Sequence, residues 1–162
     1  MVSKETKMIK QYLKGIGFGK VRVLKNKHTQ ADMINNTIQF TTQWYNTKNK
    51  ELVECGKVLK GYYKNKLKHD IKISMATYSM FHELGHLISM KDFEGKNFNR
   101  VYGQYIVGVN KINKNNSQKS IMYKYRKLQL EKLADKYGYA IYLLHEKSAI
   151  EFDKKMRKQF SC

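Results

Sequence analysis

Proline is absent from the 162 residues, and with it the usual signal of a rigid linker; no internal repeat or shift in composition marks a boundary either. A single domain covering residues 1–162, long enough to bury a real core, is therefore expected. Cysteine is almost as scarce. Cys55 and Cys162 stand alone, one inside a predicted strand and one at the end of the chain, which argues against a disulfide framework and against cysteine ligands for a metal. No apolar run approaches the length of a bilayer span, so no membrane partner is expected. The opening MVSKETKMIK lacks the apolar segment of a secretory signal, which points to the cytoplasm.

Acidic residues are also few. Thirteen Asp and Glu stand against 32 Lys and Arg, a net charge of +19, and the isoelectric point is near 9.8. Such a balance suggests an acidic partner, nucleic acid or a protein bound to it. Most of the cations are lysines spread among Asn, Ile and Tyr, a pattern that AT-rich coding also produces, so a plain solvated surface explains the composition equally well. A bacterial, phage or mobile-element source fits.

Against this background one stretch is unusual. Tyr78 to Met90, YSMFHELGHLISM, reads as a helix buried on most sides, with Ile73, Met75, Ala76, Met80, Leu84, Leu87 and Ile88 around a polar trio. The trio is His82, Glu83 and His86, in the order H-E-x-x-H. Histidines four positions apart lie about 40° apart around a helix, so both can reach one metal ion, and Glu83 can serve as general base toward an activated water. Chance can produce the motif in a chain with five histidines, but buried polar groups need a partner that collects them.

A catalytic zinc takes a third protein ligand. His28, His69 and His145 have no helpful spacing. Glu131 is better placed, beside the stripe Leu130, Leu133, Ala134, Tyr137, Ile141 and Leu144 of a second predicted helix, Leu128 to Leu144. Asp135, four residues on, falls on the same face and suits the second ring N–H of a ligating histidine. The plainer alternative is an exposed acidic pair beside Lys132 and Lys136.

HELGH at 82 to 86, followed by Glu131-x-x-Ala134-Asp135 and then Tyr137, Ala140, Leu143 and Leu144, resembles the ImmA/IrrE-type zinc metallopeptidases, a group within the gluzincins. The resemblance covers roughly residues 73 to 144. It implies Zn2+ as cofactor, His82, His86 and Glu131 as its ligands, Glu83 as catalytic base, and a regulatory protease of narrow specificity whose substrate is a protein, such as a repressor of a phage or mobile element; a DNA-bound repressor would also account for the basic surface. The rival function is a basic nucleic-acid- or host-protein-binding protein with a structural or relic zinc site.

The expected fold is α+β: one zincin-like domain with a small antiparallel or mixed sheet packed on the HExxH helix, and a long C-terminal helix. Ser3 to Lys14 reads as a helix capped by Ser3, and the glycines at 15, 17 and 19 as a turn. Val21 to Leu24 reads as a strand, Asn26 to Asn36 as polar enough to include a loop, and Thr37 to Tyr45 as a strand pairing with a second one over Glu51 to Leu59. Gly61 to Lys72 reads as a basic connector whose Tyr62 and Tyr63 are available to phosphates and bases. Val101 to Val109 reads as strand-like within a segment that shapes access to the site. Tyr102, Tyr105, Tyr123 and Tyr125 are candidates for stabilising an oxyanion. Lys147 to Cys162 continues helical and basic.

Overall fold

The computed structural model describes residues 2–67, 70–93, 97–112 and 117–160. It is an α+β arrangement dominated by helices, with a small mixed sheet. Helix α1 (Lys4–Gly15) starts where Ser3 accepts a hydrogen bond from the Thr6 amide, and Gly17, at φ 90°, turns the chain after it. Three short strands follow: β1 (Arg22–Lys25), β2 (Gln30–Asp32) and β3 (Thr37–Phe40). β3 lies between the others, parallel to β1 and antiparallel to β2, which leaves β2 at an edge.

The second strand of the expected pair is not a strand. Lys50–Leu67 forms helix α2, and Gln43–Tyr45 a single 3-10 turn. Asn49 Oδ1 accepts from the Leu52 amide and opens the helix. Leu59, Tyr63 and Leu67, four apart, then reach the core, a helical period that outweighs the β-formers Val53 and Val58. Cys55 accordingly sits exposed on α2. The supposed connector is a continuation of the same helix as far as Leu67. His69 and Cys162 lie outside the described residues.

Helix α3 (Met75–Ser89) is buried along nearly its whole length, as its apolar wrapping requires. Ser74 caps it and also donates to the buried Asp153. Val101 to Val109, expected to be strand-like, lies within α4 (Asn97–Asn110), where Tyr102, Tyr105, Ile106 and Val109 recur at helical spacing. A short α5 (Gln118–Tyr125) leads through Arg126 and Lys127 into α6 (Gln129–Leu144). The chain closes with α7 (Glu146–Phe160), which buries Ala149, Phe152 and Met156. No described helix is long and apolar enough to cross a membrane.

The packing of α3 on α6 organises the molecule. Gly85 faces Ala134 and Gly138, while Gly138 faces Phe81 and His82, so the two helices run in opposite directions with their backbones in near contact. A Cβ on Gly138 would stand 2.5 Å from the Phe81 carbonyl oxygen and 2.9 Å from His82 Cα. Only glycine permits that approach.

Candidate metal centre

The close crossing carries the N-terminal turn of α6 beneath the middle of α3. His82, His86 and Glu131 are all buried, and each turns a ligand atom toward one point, all within 4.8 Å of one another. His82 Nε2 lies 3.1 Å from Glu131 Oε2, and His86 Nε2 lies 3.3 Å from Glu131 Oε1. Ligands held about 2.0–2.1 Å from a tetrahedral ion stand roughly 3.3 Å apart, so these two separations suit ligands that share one metal ion. The set can hold one. Asp135, far from being an exposed acid, is buried and places Oδ1 3.0 Å from His82 Nδ1. That contact directs the other ring nitrogen toward the ligand cluster. His86 Nδ1 is buried without a hydrogen-bond partner among the described residues.

The charges report what the cluster demands. Burial and the Arg126 guanidinium both work against a protonated His82, yet Asp135 and Glu131 outweigh them and hold it up to about 9. Burial likewise opposes ionised Glu131 and Asp135, but hydrogen bonds from His82, shared by His86 at Glu131, hold Glu131 well below its ordinary range and Asp135 at about 2. The site thus collects positive charge even where water is excluded. Glu83 differs: burial raises its carboxyl above the ordinary value against the pull of His82 and His86.

Several residues of this centre carry no local signal. Arg126 extends Nη1 to 3.2 Å from both Glu131 Oε2 and Asp135 Oδ1 and lies 2.8 Å from His82 Nε2. From α2, the Tyr63 hydroxyl donates to Asp135 Oδ1 at 2.8 Å and Lys66 Nζ pairs with Asp135 Oδ2 at 2.7 Å. Tyr63 is therefore a buried support of the site, and Tyr62 stands edge-on to Tyr63 and Tyr123. The basic connector reading would have left both free.

A cleft of about 390 Å³ opens over His82, Glu83, His86 and Glu131. Thr29, Gln30, Ala31 and Met33 form one wall, at and beside the edge strand β2, and Tyr102, Tyr105, Tyr125 and Arg126 line it too. Tyr105 and Tyr125 join their hydroxyls at 2.6 Å, and Tyr105 donates to Glu131 Oε1 at 3.2 Å. Of the four tyrosines considered from sequence, Tyr123 is not among the lining residues. His28 is exposed and His145 caps the far end of α6, so neither joins the cluster. Comparison with known proteins gives no match: no family model, no curated protein and no solved structure resembles the chain closely enough.

Proposed function

We propose that the chain is a zinc-dependent endopeptidase with a zincin-like fold, of narrow and regulatory specificity, and that its substrate is a protein such as a DNA-bound repressor of a phage or mobile element. The observation that carries the reading is the convergence of His82, His86 and Glu131 in a cleft that also holds Glu83 and is walled by an edge strand. The buried donors choose nitrogen and carboxylate, the set zinc favours in hydrolases. A zinc ion bound there supplies Lewis acidity, lowering the pKa of a water and polarising a carbonyl.

The chain's own residues do the rest. β2 offers its outer edge to an extended substrate backbone by strand addition. Glu83 takes a proton from the attacking water as the new C–O bond forms, then passes it to the leaving nitrogen as the C–N bond breaks. Its raised pKa brings it closer to that two-way task. Tyr105 and Tyr125 place hydroxyls at the cleft where negative charge develops on the carbonyl oxygen. Asp135 holds His82 in the tautomer that presents Nε2.

Elemental analysis of the purified protein tests the foundation: about one zinc per chain, reduced in His82→Ala, His86→Ala and Glu131→Ala. Absence of zinc even after supplementation would sink the reading. Glu83→Gln then separates an enzyme from a binding protein with a structural metal, because it retains zinc and partner binding while abolishing hydrolysis.

A further inference from the structure

A depression of about 550 Å³ lies away from the metal centre, between α1 and α7. Tyr12 stacks on Phe152 at 4.2 Å and Lys4 Nζ donates to Gln159 Oε1 at 2.7 Å, so the two helices run antiparallel, side by side. Both sort their charges. The acid of α1, Glu5, is buried and paired with Lys25 at 2.6 Å, and Asp153 of α7 is buried against Thr77 and Arg157. Every exposed charge left on α1 is a lysine: Lys4, Lys7, Lys10 and Lys14. On α7 the exposed charges are Lys147, Lys154, Lys155, Arg157 and Lys158, with Glu151 as the one exposed acid.

We infer that the α1–α7 layer is a docking surface for the phosphodiester backbone of duplex nucleic acid. Lys147 to Lys158 spans about 16 Å at 1.5 Å per helical residue, the rise of roughly five base pairs. The second row, Lys7 to Lys14, runs along α1 on the other side of the groove. Two parallel rows of lysine across a shallow groove match a charged backbone rather than a base edge, so binding is independent of sequence. Neither helix exposes a large apolar side chain of the kind that inserts into a bilayer. Helix α2 makes the contrast: Glu51 and Glu54 interrupt its lysines, and Lys57 pairs with Glu54 at 3.5 Å.

The layer is also remote from the cleft. Glu131 and His145 stand at opposite ends of α6, about 21 Å apart along its axis, and His145 lines the α1–α7 groove. Nucleic acid held there leaves the cleft open. The inference stands whether or not the cleft is a peptidase site.

The test is fluorescence anisotropy of a labelled 20-base-pair duplex between 50 and 200 mM salt, with the full chain. The expected result is sequence-independent binding whose logarithmic salt slope corresponds to about 0.9 per phosphate contacted. Lys7→Gln, Lys10→Gln, Lys154→Gln and Lys158→Gln together lower affinity at least tenfold and flatten the slope by about three to four. Lys57→Gln, Lys60→Gln and Lys64→Gln together, on α2, change affinity less than twofold. Urea unfolding of both variants shows that each is folded. Three results would overturn the inference: no duplex binding at 50 mM salt, equal losses in the two variants, or binding to phosphatidylserine vesicles in preference to the duplex.

Discussion

A Cβ built on Gly85 would stand 2.8 Å from the backbone nitrogen of Gly138 and would collide with the Ala134 carbonyl oxygen. Both obstacles are backbone, which cannot swing aside. Gly85→Ala and Gly138→Ala each gain about 1 kcal/mol of helix propensity, but overpacking costs about 1–3 kcal/mol and here forces α3 from α6. The net expectation is a loss of stability together with a loss of bound zinc, because Glu131 moves with its helix. Gly56→Ala, on α2 with nothing within 4 Å, should instead be neutral or stabilising. Urea midpoints and zinc content of the three variants check this, and an unaffected Gly85→Ala would show that the helices are not in register as described.

Asp135 is met by Tyr63, Lys66, Arg126 and His82 at once. Asp135→Asn keeps its shape and removes the charge that orients His82. Zinc affinity, measured by competition with a chelator, should fall about 10–100-fold. Lys66→Met, which loses a half-exposed ion pair behind the carboxylate, should cost less. An unchanged affinity in Asp135→Asn would mean that His82 is held by other contacts.

Much of this centre was legible because its first parts are local in sequence. H-E-x-x-H is a helical repeat readable within five residues, and Glu131 with Asp135 is an i, i+4 pair beside an apolar stripe. Ser3 and its helix and the basic C-terminal helix were readable for the same reason. What escaped depends on partners distant in sequence. Arg126, Tyr63 and Lys66 gain their role only from the fold, and Gly138 only from the crossing that it permits. Helices α2 and α4 looked like strands because Val53, Val58, Ile106 and Val107 favour strands locally, whereas the half-buried to buried positions recur at helical spacing, Leu59, Tyr63 and Leu67 on α2 and Val101, Tyr105 and Val109 on α4. β2, QAD, has almost no β-former; pairing of Gln30 with Gln39 and Asp32 with Thr37 makes it a strand.

Stability of the metal-free protein should depend on pH from both sides. His82 is raised to about 9, so its contribution is complete below its ordinary value of 6.5 and disappears as pH rises through 9. Asp135 is lowered to about 2, so its contribution is complete above 3.8 and disappears as pH falls toward 2; Glu131 acts in the same sense. In chelator the urea midpoint should therefore be highest near pH 5 to 6 and decline on the alkaline side. Zinc should abolish the alkaline decline, since ligation requires neutral His82, and should steepen the acid one as protons displace the metal. A flat profile from pH 6.5 to 9 in chelator would contradict the arrangement around His82.

Asp153 offers a test of stability that leaves the metal centre untouched. Its carboxylate accepts from the Ser74 and Thr77 hydroxyls and pairs with Arg157, and the Tyr45 hydroxyl meets Thr77 at 2.6 Å. This buried network fastens α7 and the turn before α2 to the start of α3. Asp153→Ala leaves two hydroxyls without their acceptor, at about 1.5–3 kcal/mol for each bond to a charged group, while the exposed Arg157 adds little. A loss of about 3 kcal/mol is expected, with Asp153→Asn milder because one acceptor oxygen survives. Ser74 lies about 12 Å along α3 from His82, so zinc bound per folded chain should not change. A variant that lost zinc without losing stability would place Asp153 in the site rather than beneath the fold.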